Sequence, residues 1–154
     1  MLPDVCYAFL EKDVHLLNMQ NGLADNTVSA VYKDKEGFVW FGTRNGLSRY
    51  DGRQITNFEQ SNSYPSISNL KEVFDGVLAF VDNGVFSAFD LKKERFLSVV
   101  SSSGQGIPSR GMLQRNDSLV WVISGSELHL MKRCASKEGE LRLRVQEKYT
   151  GWNN

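Results

Sequence analysis

Few side chains in this sequence have the type and spacing that covalent or metal chemistry requires. His15 and His129 are its two histidines, and neither has a cysteine, histidine or carboxylate partner at the spacing of a metal site. Cys6 and Cys134 are its two cysteines, and their wide separation permits one disulfide without indicating it. We therefore predict no catalytic residues, no metal site and no cofactor, and two thiols that are buried or unpaired.

The aromatic residues offer another kind of chemistry, the stacking of a sugar ring on an aromatic face. Trp40 and Trp121 lie in similar apolar runs, 81 positions apart. This regular spacing favours packing between repeated sheets, because structural roles recur with a repeat and binding roles usually do not. Trp152 falls outside the interval and indicates nothing by itself.

The polar run Arg49-Tyr50-Asp51 could surround a hydroxylated ligand. Asp51 precedes a glycine, however, which is typical of a turn in which the carboxylate accepts local backbone N–H groups. Asp90 again follows an aromatic residue. We interpret Asp51, and Asp34 ahead of Gly37, as turn residues and not as acids that act on a substrate.

Short strands must position these side chains. Three runs rich in β-branched and aromatic residues follow one another at Val28–Lys33, Phe38–Thr43 and Leu47–Tyr50. Polar residues followed by glycine separate the runs, as a reversing backbone with positive φ requires. With Ile55–Phe58 added, they predict a four-stranded antiparallel meander.

The pattern then recurs along the chain. FVWFGTRNGLSRYD at 38–51 is similar to GVLAFVDNGVFSAFD at 76–90 and to SLVWVISGSELHLMK at 118–132. The pair Asn45-Gly46 returns as Asn83-Gly84, 38 positions later. A period near 40 residues built from short strands is typical of β-propeller blades, whereas helical repeats of this length need long helices.

We therefore predict an all-β fold, a partial β-propeller of about three four-stranded antiparallel blades in a single domain, 1–154. The blades are expected at 26–58, 67–100 and 110–149. A lead-in strand is expected at 5–19, as the outer strand of a preceding blade or as the strand that closes the ring.

Composition excludes several classes of function. Lys plus Arg equals Asp plus Glu at 18 each, so the basic excess of a nucleic-acid binder is absent. No apolar run is long enough for a membrane span, and Met1–Asp4 does not begin a signal peptide. Because three blades do not close a ring of ordinary geometry, we expect a piece of a longer protein, or else closure with other copies of the chain.

The first copy resembles the two-component regulator propeller repeat. The pattern of that family runs GLS-x-N-x-V and then D-x-x-G-x-x-W-x-GT-x-x-GL-x-R-Y-D-G, and Ala24 replaces its usual serine. The matching signature residues are Gly22, Leu23, Asn26, Val28, Asp34, Gly37, Trp40, Gly42, Thr43, Gly46, Leu47, Arg49, Tyr50, Asp51 and Gly52. The second and third copies keep little of this pattern.

The resemblance implies a non-catalytic, ligand-sensing segment of the periplasmic (extracytoplasmic) propeller of a bacterial hybrid two-component sensor histidine kinase. It further implies an oligosaccharide ligand of the intact sensor, contact with the remaining blades of the parent chain, and a homodimer as a possible assembly. It does not identify the ligand-binding residues.

Two alternatives stay open. A propeller lyase or hydrolase would need reactive groups on its inner strands, where this chain offers Lys71, Glu72, Arg110 and Arg115 beside the hydroxyls of 27–32. A plain protein-interaction scaffold would have the same sequence features as a sensor.

Overall fold

The computed structural model describes residues 16–59 and 66–151, which form strands, turns and loops apart from one 3-10 helix at Met19–Asn21. The predicted all-β class is confirmed. The twelve strands are β1 Val28–Lys33, β2 Val39–Thr43, β3 Gly46–Tyr50, β4 Ile55–Phe58, β5 Ile67–Phe74, β6 Val77–Asp82, β7 Val85–Asp90, β8 Arg95–Ser101, β9 Gly111–Asn116, β10 Leu119–Ser124, β11 Glu127–Cys134 and β12 Glu140–Tyr149.

The strands fall into three meanders of four, in which each strand pairs antiparallel with the next. We call β1–β4 unit one, β5–β8 unit two and β9–β12 unit three. The first strands of the units, β1, β5 and β9, lie beside one another in that order. Short polar turns join the strands within a unit, and most of them contain or adjoin a glycine as the sequence pattern predicts, although the β7–β8 turn at 91–94 and the β9–β10 turn at 117–118 do not.

One strand pairing is not predicted by the sequence. Glu140–Leu143 of β12 runs parallel to residues 98–101 of β8 and pairs with them. Unit one is therefore a separate sheet, whereas units two and three form a single eight-stranded sheet through their last strands.

The strand pairings align the first two copies with an offset that differs by one residue from the one predicted from the sequence. Thr43 pairs with Gly46 across the turn of unit one, and Asp82 pairs with Val85 across the turn of unit two. Thr43 thus corresponds to Asp82, 39 positions later, and the 38-residue spacing of the two Asn-Gly pairs is not the structural offset. Asn83 and Gly84 both have positive φ, the backbone of a type I′ hairpin turn.

The lead-in strand predicted at 5–19 is not found where it can be examined. Leu16–Asn18 is not in a strand, and the 3-10 helix begins at Met19 and is capped by the Asn18 side chain. The Asn21 side-chain oxygen accepts the backbone N–H of Asn18, and the Asn18 side-chain oxygen accepts that of Asn21. These local hydrogen bonds take the place of a strand ladder. Residues 1–15, with Cys6 and His15, and Trp152 lie outside the described residues.

Two apolar cores lie on opposite faces of unit two. Leu78 and Phe80 of β6 face unit one and pack with Trp40 and Leu47. The alternating residues of β6 face unit three instead, as strand geometry requires. The residues of this second core are Val73, Phe74, Val77, Ala79, Phe86, Ala88, Ile107, Val120, Val122, Met131, Leu141 and Leu143.

Candidate ligand-binding cleft

The Asp and Trp of the repeat signature form one hydrogen-bonded structure. The Asp34 side chain is buried, and its Oδ1 accepts the backbone N–H groups of Glu36 at 3.0 Å and Phe38 at 2.9 Å. Its Oδ2 accepts the Trp40 Nε1–H at 2.8 Å. Asp34 therefore shapes the β1–β2 turn and fixes the indole ring, and its oxygens are occupied by structural donors.

Gly42 of the signature is the point of closest approach between units one and two. A Cβ at this position would lie 2.5 Å from Cγ2 of Ile67, on the first strand of unit two. The neighbouring Thr43 is fully buried, and its hydroxyl donates to the Gly46 carbonyl at 2.9 Å. Gly42 thus leaves a space for Ile67 of unit two, which we call the socket, and Thr43 closes the turn beside it.

Arg49 extends the same interface towards solvent. Its guanidinium lies 4.8 Å from the ring centroid of Phe38 and 5.4 Å from that of Phe58, where cation–π attraction is favourable. It also forms an ion pair of 2.6 Å with Glu94 of unit two. The Arg49 side chain is only 18% exposed, so it is a packed bridge between the units.

Beside this bridge the two units leave a cleft of about 190 Å³. It opens between the β1–β2 turn of unit one and the β7–β8 turn of unit two. Its lining residues are Asp34, Lys35, Glu36, Phe38, Trp40, Arg49, Gly76, Leu91 and Lys92. The cleft therefore has an aromatic and aliphatic floor and a rim of charged side chains, an arrangement suited to a ligand with one apolar face and several polar groups.

A charged cluster separates the cleft from the ends of the inner strands. Lys35 forms ion pairs with Asp75 at 2.5 Å and Glu72 at 3.5 Å, and Lys92 binds Asp75 at 3.0 Å. Hydrogen bonds from Lys35 and then Lys92 lower the pKa of Asp75 from its usual 3.8 to about 2. The same contacts with Asp75 and Glu72 raise the pKa of Lys35. The lowered pKa of Asp75 and the raised pKa of Lys35 keep these two groups charged near neutral pH, which suits electrostatic contact and not proton transfer.

The other sequence candidates have local partners. Asp51 Oδ1 accepts the N–H groups of Arg53 and Gln54 at 2.7 and 2.8 Å, and these contacts, that of Gln54 first, lower the Asp51 pKa. Asp90 binds the two residues after Leu91 in the same way. The interpretation of both as turn residues is confirmed by this geometry.

His129 and Trp121 lie on unit three. The His129 Nε2 atom is 2.9 Å from Glu127, whose second oxygen binds Lys148 at 2.6 Å. Within residues 16–59 and 66–151 no three side chains of His, Cys, Asp or Glu converge as a metal site would require. Trp121 is half-buried, with the Arg115 guanidinium and the Tyr149 ring each 5.7 Å from its ring.

Among the inner-strand groups weighed for catalysis, Glu72 is the one that reaches the charged cluster. Its carboxylate accepts the Gly76 backbone N–H at 2.8 Å and also forms the ion pair with Lys35. Arg115 packs on Trp121 instead. The cleft itself was missed by the sequence reasoning, because its two walls come from different copies of the repeat, and no single motif contains both.

Comparison with known proteins finds a family match for part of the first repeat. Residues 22–45 match the family model described as the two-component regulator propeller. A search with the whole sequence matches no curated protein. The match includes Asp34, Trp40 and Gly42, so it covers the residues that build the turn and the socket.

Solved structures share the fold across most of the chain. The extracellular domain of the proposed one-component system BT4673 from B. thetaiotaomicron is 17% identical with a TM-score of 0.63, and the alignment covers 86% of this chain and 20% of that one. The extracellular domain of the proposed hybrid two-component system BT3049 from the same organism is 24% identical with a TM-score of 0.55, over 77% and 18%. A chain from an S. cerevisiae complex of dbp5, nup159 and gle1 is 17% identical with a TM-score of 0.50, over 82% and 31%.

These similarities confirm the predicted propeller fold. The chain spans about a fifth of the length of the two bacterial structures that it matches. The match to a eukaryotic complex shows that the architecture also occurs in a different setting. In the part of the chain that the structure describes, no helix is both long and apolar enough to cross a membrane.

Proposed function

We propose that this chain, with a two-component regulator propeller repeat at residues 22–45, is a ligand-sensing segment of a larger extracytoplasmic propeller. The parent protein would be a bacterial hybrid two-component sensor histidine kinase, and the segment itself would be periplasmic and non-catalytic. The observation that supports this most is the family match over the residues that join units one and two. The bacterial extracellular domains of similar fold support it further.

We propose an oligosaccharide as the ligand and the cleft between units one and two as a place where it binds. The cleft, at about 190 Å³, is smaller than most sites for drug-sized molecules. It would therefore accept one ring or one terminal group of a longer ligand. Phe38 and Leu91 would face the apolar side of a ring, while Lys35 and Lys92 would donate to its oxygens.

A ligand in this position would act on the angle between two units. Unit one and unit two are separate sheets with no strand ladder between them, so an added contact with both walls favours one relative placement of the two sheets. Such a shift is the kind of signal that a sensor can pass to other domains or to a second subunit of a dimer.

The test is isothermal titration calorimetry of the intact extracytoplasmic region with a panel of oligosaccharides. Lys92→Glu reverses a charge on the cleft rim, and Lys93→Glu is its matched control, because Lys93 binds Glu138 of unit three at 2.8 Å. We expect Lys92→Glu to weaken binding about tenfold or more and Lys93→Glu to leave it unchanged. Absence of heat with every sugar would contradict carbohydrate sensing, and equal affinities for the two variants would place the ligand elsewhere.

The enzyme alternative has less support. The carboxylates nearest the inner strands, Glu72 and Asp75, are held in ion pairs, and the Asp75 pKa is lowered and not raised. A general acid would need a raised pKa at neutral pH. The scaffold alternative differs from the sensor only in its ligand, so the same titration separates them.

A further inference from the structure

The cleft between units one and two has a larger neighbour. A groove of about 420 Å³ lies on the other side of the charged cluster, where β1 and β5 end and β9 turns into β10. All three units contribute to its walls, which include Tyr32, Lys35, Phe74, Asp75, Gln114 and Asp117. We call this cavity the inner groove. Its volume is within the usual range for ligand sites, whereas that of the cleft is below it.

The cleft and the inner groove adjoin each other at the charged cluster. Lys35 lines both cavities, and Lys92 of the cleft binds Asp75 of the inner groove at 3.0 Å. The side chains of these three residues are each more than half exposed, so they present charged hydrogen-bonding groups to a ligand that crosses from one cavity to the other. A linear ligand with one ring in the cleft can therefore continue into the inner groove.

The inner groove offers polar groups that are available to a ligand. In the described part of the chain, neither the Gln114 side-chain amide nor the Asp117 carboxylate has a hydrogen-bond or ion-pair partner. Burial and the nearby Glu72 carboxylate raise the pKa of Tyr32, so its hydroxyl stays protonated and can donate. An amide, a carboxylate and a phenol can together donate to and accept from the neighbouring hydroxyl groups of a sugar. The lining therefore suits a ligand with many hydroxyl groups.

The charged side chains of the inner groove disfavour an acidic ligand. Glu72, Asp75 and Asp117 place three carboxylates in its walls, and Lys35 is the one basic residue of its described lining. A uronic acid or a sulfated ring would bring like charges together there, which weakens binding strongly. The rings that enter the inner groove are therefore expected to be neutral.

We propose that the inner groove binds the second and third rings of a neutral linear oligosaccharide whose first ring lies in the cleft. The inference rests on the proposed function, because it starts from a sugar in the cleft, and it adds the length and the charge of that sugar. At about 420 Å³ against about 190 Å³, the inner groove accommodates about two rings where the cleft accommodates one. Gln114 and Asp117 are the side chains of unit three that select such a chain.

The first part of the test varies the length of the sugar. The intact extracytoplasmic region is titrated in a calorimeter with neutral gluco-, xylo-, manno-, galacto- and arabino-oligosaccharides of one to four rings. In the series that binds, we expect the affinity to rise at least about tenfold from one ring to three and to change little with the fourth. An affinity that does not depend on chain length would overturn the proposal and leave a sugar site in the cleft.

The second part of the test removes the amide of the inner groove. Gln114→Ala should lower the affinity for the three-ring sugar about tenfold, because its bonds to the third ring are lost. Gln146→Ala is the matched control, since Gln146 is an exposed residue of β12 that lines neither cavity. An unchanged thermal unfolding midpoint shows that each variant is folded. Equal affinities of the two variants for the three-ring sugar would overturn the proposal.

The third part of the test concerns charge. A three-ring sugar whose third ring is a uronic acid should bind the unmodified protein at least about tenfold more weakly than its neutral counterpart. Asp117→Asn removes one carboxylate at constant size and should reduce this difference. Equal affinities of the unmodified protein for the two sugars would overturn the proposal.

The outcomes separate this inference from the proposed function. Absence of heat with every sugar would remove the carbohydrate ligand and the inference together. Heat that is lowered by Lys92→Glu and not by Gln114→Ala would leave the ligand in the cleft and overturn only the extension into the inner groove.

Discussion

Units one and two are held together differently from units two and three. The first pair consists of separate sheets whose contact is an aromatic cluster, with Trp40 5.6 Å from Phe58 and 5.5 Å from Phe89 between ring centroids. The second pair shares an aliphatic core and is joined by the parallel ladder between β8 and β12. Unit one, which forms only the first of these interfaces, is the unit that carries the full repeat signature.

The difference explains where the signature is retained in this chain. Separate sheets have no backbone–backbone hydrogen bonds to set their distance and angle, so the shapes of side chains must set them. In unit one this is done by the Trp40 ring, which is held by its hydrogen bond to Asp34, and by the space that Gly42 leaves for Ile67. Where β8 and β12 share hydrogen bonds, the ladder sets the geometry. Ala79 and Val81 then replace the Trp and the Gly without loss of burial, at 0% and 4% exposure.

The largest expected effect on the interface of units one and two comes from removing the Trp40 side chain. Trp40→Ala should lower the free energy of unfolding by about 3–5 kcal/mol, because it opens a cavity beside the rings of Phe58 and Phe89 and leaves a buried Asp34 oxygen without its donor. Trp121→Ala, at the equivalent half-buried position of unit three, should cost about 1 kcal/mol. Urea denaturation of the two variants checks this, and equal losses would mean that the first interface does not depend on its signature.

The next test fills the socket. Gly42→Ala places a Cβ 2.5 Å from Ile67 and should cost about 1–3 kcal/mol by overpacking. Gly111→Ala, on the first strand of unit three, is the matched control, since its Cβ would lie at ordinary distances of 3.6 Å from Asn69 and 3.7 Å from Ile123, and it should change stability by less than about 0.5 kcal/mol.

A double-mutant cycle assigns the cost of Gly42→Ala to one contact. Ile67→Ala removes the methyl group that the new Cβ would meet. The double variant should therefore be more stable than the sum of the single losses by about 1 kcal/mol. Additive losses would show that Gly42 is required for a reason other than the approach of Ile67.

The sequence was sufficient to predict what is local. Alternating residues and polar turns with glycine predicted the strands of unit one, and the Asp-Gly pattern predicted the turn at Asp51. The parallel pairing of β8 with β12 could not be predicted in this way. It joins strands about 40 positions apart, and neither strand differs in composition from one with a free edge.

The candidate cleft was beyond the sequence for a related reason. The turn residue Asp34 and the distant Lys92 are each explained by local chemistry, and only the packing of two sheets brings them to one opening. The one-residue error in aligning Asn45-Gly46 with Asn83-Gly84 has a similar origin, because the same dipeptide occupies different positions of two turns.

The smallest expected effect concerns the exposed ion pairs that connect the units. Asp75 binds Lys35 of unit one, and Glu138 of unit three binds Lys93 and Arg95 of unit two. These contacts lower the pKa of both carboxyls, that of Asp75 to about 2. A lowered pKa in the folded state means that the carboxylate stabilises the fold above the unfolded pKa, near 3.8 for Asp75, and that this contribution disappears as the pH falls towards 2.

Asp75→Asn should therefore lower the unfolding midpoint slightly at pH 7, with the difference from the unmodified protein vanishing between about pH 4 and pH 2. Added salt should reduce the difference, because both partners are exposed to solvent. Glu138→Gln should have a smaller effect at pH 7, since the β8–β12 ladder still connects units two and three. Thermal unfolding across this pH range measures both variants, and a larger loss for Glu138→Gln would mean that the ladder does not support its interface independently of side chains.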